Sequence, residues 1–248
     1  MKKTILAIET SCDETGMALV EASGEFSNPK FKVLINLVSS QIKIHRPFGG
    51  VVPGLAKREH IKNLPLLFKK LHPKPYTLNP DLIAVTIGPG LEPALWTGIT
   101  FAKELAKKYK KPLIGVNHLE GHLYSFLLPG KNLSRVSGHL SQIFPALALS
   151  VSGGHTVLLL MKNLKEWERL GETKDDAAGE AFDKVARMLN LPYPGGPEIE
   201  KIAKKGNSEA IAFPRPMLNQ KNYDFSFSGL KTSVFYYLRD KGYSHSGM

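Results

Sequence analysis

A chain of 248 residues, 42% hydrophobic and 22% charged, is long enough for one large or two small domains and has the balance of a globular protein. No apolar run approaches membrane-spanning length, and MKKTILAIETSCDE meets charge too early for a signal peptide, so the expectation is a cytoplasmic protein with no membrane association. The only cysteine, Cys12, excludes an internal disulfide, and the net charge of +11 raises the question of a polyanionic partner. In chain order, TILAIET reads as a buried strand, returned by GMALVE through the turn SCDETG and extended by FKVLINLVSS. A helix follows with Ile61, Leu64, Phe68 and Leu71 on one stripe and its lysines off it. DLIAVTIG is a strand entering the turn GPG, and TGITFAKELAKKY is the next helix. PLIGV is a strand running straight into a short helix with two histidines. After a polar loop, ALALSVSGGHTVLLL reads as a hairpin, helices follow at 177 to 190 and from Pro197, and DFSFSGLKTSVFYYL closes the chain. Both halves open with strand, polar glycine-containing turn and returning strand, which points to a duplicated α/β domain.

The charge is concentrated. Residues 57 to 74 carry Lys57, Arg58, Lys62, Lys69, Lys70 and Lys74 against Glu59 alone, and residues 103 to 111 carry Lys103, Lys107, Lys108, Lys110 and Lys111 against Glu104. These are either solvated helix faces or a surface for a polyanion, of which nucleic acid is the commonest.

Four stretches carry the chemistry. In NHLEGHLY, His118 and His122 are about one helical turn apart, so they share a face and can share a metal ion. The zinc-protease pattern needs its glutamate directly after the first histidine, and Leu119 stands there instead. Two ligands are too few for a tight site, with His155 a candidate for a third. In ETSCDET, Glu9, Asp13 and Glu14 crowd one turn, where they repel unless a metal, a cation or a general-base role justifies them. In SVSGGHT, Gly153 and Gly154 let backbone approach a ligand and Ser152 adds a hydroxyl, although a plain hairpin turn would look the same. In DDAAGEAFDKVARMLNLPYPGGPEIEKIA, the apolar stripe is Ala178, Phe182, Val185 and Leu189, with Asp183 at its margin. Asp183 with Arg187, and Glu180 with Lys184, are spaced for helix ion pairs; Asp183 and the glycine turn before Pro197 could equally clasp a ribose.

AIETSCDETGMAL, GGVVPGLAKREH, GPGLEPALWTGITFAK, NHLEGHLYS, LSVSGGHT, DDAAGEAFDKVARMLNLPYPGGP and FSFSGLKTSV together resemble, in order and over nearly the whole chain, the signatures of the universal tRNA threonylcarbamoyltransferase family, formerly called sialoglycoprotein endopeptidases. The resemblance implies the two-domain actin-like ATPase fold shared with sugar kinases and heat-shock chaperones, with an N-terminal domain at 1–130, a loop at 131–144 and a second domain at 145–248. It implies transfer of a threonylcarbamoyl group from threonylcarbamoyl-adenylate, made from ATP, to N6 of adenosine 37 in tRNAs reading codons that begin with A. His118 and His122 match the family's metal ligands, the ion being iron(II) by expectation, with zinc or magnesium as alternatives. Ser150, Val151, Ser152, Gly153 and Gly154 match the loop on the adenylate's phosphate side; Asp183, Gly196 and Glu200 match residues at its ribose and base. Asp13 or Glu14 could relieve the attacking amine of its proton. The implied partners are tRNA, a paralogous TsaB-like subunit and a TsaE-like ATPase.

The sequence also departs from the family. Gly54 stands where a glutamate is usual, and LEPALW replaces a smaller stretch. The sequence stops at DKGYSHSGM, before the family's glycine-rich nucleotide segment and the aspartate that completes its metal site, so the expectation is an incomplete second domain. The competing functional readings are a nucleotide-binding regulatory or kinase-like member of the same superfamily, which needs no histidine pair, and a metalloprotease, which Leu119 disfavours.

Overall fold

The structure, a computed structural model, describes residues 2–71, 79–128 and 143–243. The chain forms two compact units, Met1–Ile44 with Val51–Ile143, and His45–Gly50 with Phe144–Met248. Among the described residues no helix is long and apolar enough to cross a membrane.

The first unit is a five-stranded sheet in the order β3-β2-β1-β4-β5. Strands β1 (Lys3–Glu9), β2 (Glu14–Glu25) and β3 (Asn28–Ser40) form an antiparallel meander. Strands β4 (Leu82–Gly88) and β5 (Leu113–Asn117) run parallel to β1, because a helical crossover precedes each. A short helix α1 (Ile42–His45) is followed by the crossovers α2 (Pro53–Leu71) and α3 (Glu92–Tyr109). Period-two alternation sends Leu6, Ile8, Met17, Ile83 and Val85 to one face of the sheet, where they meet Leu64, Leu67 and Leu71 of α2 and Ala102 and Leu105 of α3. This meander followed by parallel strands is the topology of one actin-like domain, as the sequence implied.

One expectation for α2 fails. Its buried stripe is Ala56, His60, Leu64, Leu67 and Leu71, so Phe68 lies only at the core's edge and Ile61 is 54% exposed. The buried imidazole of His60 takes the turn of the core face that Ile61 was expected to share, rotating the stripe by one residue. Gly54, in the first turn of α2, has no protein atom within 4 Å of the place a Cβ would occupy, so its substitution leaves the helix start intact.

The second unit carries the antiparallel sheet β6 (Ala146–Val151), β7 (Thr156–Met161) and β8 (Trp167–Glu172), in that order. It repeats the β1-β2-β3 meander, as the two similar halves of the sequence predict. Strand β8 was not anticipated: WERLGE is polar and half of it is exposed, so alternation is invisible in it. Helices α5 (Ala178–Met188), α6 (Gly195–Ala203) and α7 (Ser228–Asp240) complete the unit, the short α4 (His118–Leu123) lying in the first unit. The expected stripe of α5 is also wrong. It buries Ala178, Ala181 and Ala186, while Phe182 and Leu189 are 49% and 42% exposed. The alanine face lets α6 approach until a Cβ on Gly195 would overlap Ala186. Residues His45–Gly50 join this unit through Arg46 Nε donating to the Tyr193 carbonyl at 2.9 Å and Arg187 donating to the Gly49 carbonyl. The loop expected at 131–144 falls almost wholly outside the described residues.

Gly98 shows how tightly α3 sits on β1. A Cβ there would lie 2.3 Å from Thr10 Oγ1, and Thr10 is itself buried and bonded to the Ala94 carbonyl at 3.0 Å. Helix propensity favours Gly98→Ala by up to ~1 kcal/mol, but overpacking at a buried contact costs ~1–3 kcal/mol. The substitution is therefore expected to lower the urea midpoint with the slope unchanged; a raised midpoint would show that α3 can move away from Thr10.

Candidate functional site

The histidine pair sits on α4 (His118–Leu123), which begins directly after β5. Asn117 starts it, its Oδ1 accepting from the Leu119 and Glu120 N–H groups at 2.8 and 3.3 Å, the role that makes Asn a favoured helix cap. The Nε2 atoms of His118 and His122 converge to 3.0 Å. Two nitrogens bound to one metal at about 2.1 Å and near a right angle lie about 3.0 Å apart, so the rings as placed fit a shared ion.

Glu9, at the end of β1, makes the pair directional. Its Oε2 faces His118 Nδ1 at 3.2 Å and accepts from Thr86 Oγ1 at 2.6 Å, while Oε1 accepts from the Ser11 N–H at 2.5 Å. Ser11 Oγ also reaches His118 Nδ1, at 3.1 Å. Burial pushes the Glu9 carboxyl up, but the bonds from His118, Ser11 and Thr86 outweigh it and hold the group down to about 2. An ionised carboxylate on Nδ1 places the His118 proton there and leaves Nε2 bare, the arrangement metal-binding histidines use. Burial, and then the neighbouring His118, lower the pKa of His122, keeping it in the neutral form that binds metal. Glu120 is exposed in the first turn of α4, and the carboxylate beside the pair is Glu9 on Nδ1, so the protease arrangement is not reproduced. Asp13 is half-buried and Glu14 exposed in the same turn. Cys12 is exposed at its surface, yet desolvation by the atoms packed around its sulfur, and then the charge of Asp13, push its thiol upward.

In the second unit Ser150 and Val151 end β6, and Ser152 to His155 form a tight hairpin turn. The Ser152 N–H donates to the His155 carbonyl at 2.8 Å, and Ser152 Oγ accepts from the His155 N–H at 3.1 Å. Added Cβ atoms at Gly153 and Gly154 would meet no described protein atom within 4 Å, and neither residue has the left-handed φ that demands glycine. Neither protein packing nor the turn conformation requires these glycines, which favours the ligand reading of the loop. The loop lies against the start of α5: the Gly179 N–H donates to the Ser152 carbonyl at 3.1 Å, and a Cβ on Gly179 would sit 2.7 Å from the Gly153 Cα.

Asp183 on α5 accepts from the Gly195 N–H at 2.7 Å, capping the start of α6, while Arg187 turns to Gly49 instead of pairing with it. The expected Glu180–Lys184 pair does form, at 2.7 Å. Gly196 faces open space but for Phe182 Cβ at 3.9 Å. Glu200 is exposed and bridges Lys204 at 3.0 Å.

Sequence reasoning missed Glu9 as the partner of His118, and with it Ser11 and Thr86; a lone threonine in a strand carries no signal. It also missed the role of Asp175 and Asp176. Asp175 accepts from the Phe227 and Ser228 N–H groups and from the Ser226 and Ser228 hydroxyls, and its pKa is lowered: those four bonds outweigh the burial that raises it. Asp176 bridges Lys184 at 2.7 Å and Lys231 at 2.6 Å, tying α5 to α7. The aspartate pair preceding α5 in sequence was the available signal.

The strand order and the repeated meander define an actin-like α/β protein, with a histidine pair in the first unit and a glycine turn in the second. Residues 32–246 match the TsaD family, described as tRNA N6-adenosine threonylcarbamoyltransferase. Proteins of that name from Thermosipho melanesiensis and Fervidobacterium nodosum are 53% and 50% identical over 95% and 98% of this chain. The chain spans about two thirds of their length, 67% and 69%. A solved structure, YeaZ from Pseudomonas aeruginosa, aligns over 97% of this chain and 94% of its own with 14% identity and a TM-score of 0.38, too distant to bear on function. The chain belongs to the TsaD family of tRNA N6-adenosine threonylcarbamoyltransferases, transferase enzymes that modify tRNA.

Among the described residues no group of three or more His, Cys, Asp or Glu side chains is arranged to hold a metal. The two imidazoles alone leave a divalent ion mostly hydrated, so the chain is expected to hold metal weakly and reversibly. Elemental analysis after dialysis against a mild chelator should find well under one equivalent, and none in His118→Ala. One tightly held equivalent would require a further protein ligand besides the two histidines.

Proposed function

We propose that this chain transfers the threonylcarbamoyl group of threonylcarbamoyl-adenylate to N6 of adenosine 37 in tRNAs reading codons that begin with A. The observation that carries the reading is identity at about half of the aligned positions with transferases of that name, over nearly the whole of this chain. The donor is a mixed anhydride and already activated. The enzyme has to orient it, stabilise the departing phosphate and accept one proton. N6 attacks the carbamoyl carbon, the new C–N bond replaces the C–O bond to phosphate, and AMP leaves with the electron pair. The N6 proton passes to Asp13 or Glu14 of the acidic turn. Ser150, Val151, Ser152, Gly153 and Gly154 receive the phosphate side. Asp183 and Gly196 hold the ribose and base, with Glu200 close enough in sequence to join them. His118 and His122 hold one divalent ion, iron(II) before zinc or magnesium, which supplies Lewis acidity toward the adenylate.

The partners follow from chemistry and charge. Lys57, Arg58, Lys62, Lys69 and Lys70 are exposed on α2, with Lys62 3.6 Å from Glu59; Lys74 lies outside the described residues. On α3, Lys103 lies over the Trp96 ring at 5.5 Å, and Lys107 and Lys108 are exposed. Both helices belong to one unit and present this charge to tRNA phosphates. A TsaB-like subunit and a TsaE-like ATPase complete the working assembly.

Two outcomes test this reading. Asp183→Asn keeps an acceptor for the Gly195 N–H, so stability should change by less than the ~1 kcal/mol of a lost helix cap, while calorimetry should show weakened binding of an ATP analogue. Unchanged affinity would reduce Asp183 to a cap. Reversing Lys57 and Lys62 to glutamate should weaken binding of any tRNA and lower the log–log salt slope by roughly one unit for each phosphate no longer neutralised. A tRNA affinity indifferent to salt and to both changes would make these lysines solvated surface.

A further inference from the structure

His60 is a buried titratable side chain for which the transfer reaction has no use. It lies on the buried stripe of α2, where Ala56, Leu64, Leu67 and Leu71 are otherwise apolar, and it is 0% exposed. A leucine would serve the core there at least as well, because a buried polar group gains nothing over an apolar one unless its bonds place something. Both ring nitrogens are committed. Nε2 lies 2.9 Å from the Cys12 carbonyl, which can only accept, so Nε2 carries the proton. Nδ1, bare in the neutral ring, accepts from the buried Thr15 hydroxyl at 2.8 Å, with the Gln41 amide at 3.4 Å beside it.

Its two partners bracket the acidic turn. The neighbouring carbonyls are held as well, Ser11 by the Leu91 N–H at 2.8 Å and Asp13 by the Gln41 N–H at 2.9 Å. Three successive carbonyls are thus drawn into the unit, and of the three donors only that of His60 is a side chain. The same turn supplies the Ser11 N–H that holds Glu9 and the Ser11 hydroxyl oxygen that, together with Glu9, faces the His118 Nδ1–H.

We infer that His60 is a positioning residue, tying α2 to the acidic turn so that Ser11 and Glu9 hold the His118 ring in one tautomer and one orientation. The use of that ring as a metal ligand rests on the function proposed above; the positioning does not. The consequence is that α2, the helix carrying the basic surface, and the histidine pair are joined by a continuous hydrogen-bonded link.

The test uses the whole chain labelled with 15N-histidine. Long-range 1H–15N correlation should show His118 protonated at Nδ1 and His60 at Nε2. In His60→Leu, provided urea unfolding remains cooperative, the His118 nitrogens should move toward values averaged between tautomers. Affinity for added Co(II), followed by its visible absorbance, should fall about tenfold or more, as when an outer partner of a ligating histidine is removed. His60→Gln places an amide donor near Nε2 and should recover most of both signals. A folded His60→Leu with unchanged His118 nitrogens would overturn the inference. If His60→Leu does not fold, Thr15→Val decides, since it removes the bond to Nδ1 with little change of shape: displaced His118 signals support the link and unmoved ones refute it. Co(II) binding that survives His118→Ala would reject the metal reading alone, leaving the nitrogen signals to judge His60.

Discussion

A carboxylate at the end of a central strand has to be satisfied before the chain can turn away from the sheet, and the satisfaction of Glu9 organises the first unit. Its oxygens take the Ser11 N–H of the following turn, the Thr86 hydroxyl of the adjacent parallel strand and the Nδ1 edge of His118 just beyond the next strand. Bonds to a charged acceptor contribute about 1.5–3 kcal/mol each, roughly twice a neutral one, so the carboxylate stays ionised despite burial. One side chain therefore sets the register of β1 against β4, the path of the acidic turn and the tautomer of a histidine more than a hundred positions away. The turn looked overloaded with acid in the sequence because one of its three acids, Glu9, is spent internally, leaving Asp13 and Glu14 with side chains toward solvent.

The second unit solves the same problem with Asp175 and Asp176. Asp175 gathers the start of α7 onto one carboxylate, and Asp176 joins α5 to α7 through two lysines. The fixed α5 start in turn receives the glycine hairpin, through the Gly179 N–H on the Ser152 carbonyl and the Ala178 N–H on the buried Thr156 hydroxyl at 3.0 Å. In both units an acid next to the chain's change of direction holds a neighbouring element in place, and the groups facing solvent are the ones left for ligands. Glycine marks the difference in use: Gly98 and Gly179 are demanded by close protein contacts, while Gly153 and Gly154 are demanded by none.

The sequence was legible where one residue's environment repeats with a regular period. Strands β1, β4 and β6 and the crossover helices announce themselves by alternation or a stripe, and the paired meanders by the similarity of the two halves. The stripes themselves were misplaced in α2 and α5 for one reason. Size and hydropathy point to the large apolar side chains as the buried ones, whereas His60 is buried because its polar atoms are paired and the α5 alanines because α6 approaches closely. Strand β8 and the docking of residues 45–50 carry no periodic signal, being set by partners distant in sequence. The histidine spacing was visible at once; the carboxylate that gives it direction was not, since Glu9 and His118 meet only through the parallel pairing of β1, β4 and β5.

The geometry of the pair also explains why two histidines so close need not repel. With His118 protonated on Nδ1 toward an ionised carboxylate and His122 held neutral, the two Nε2 atoms can either share one proton or share one metal ion. A shared proton is bound to one nitrogen and accepted by the other, with the rings edge to face at 86°. A divalent ion there would be held by both ring nitrogens, beside the ionised Glu9 carboxylate. Glu9 would thus favour an ion held by His118 and His122 without itself acting as a ligand.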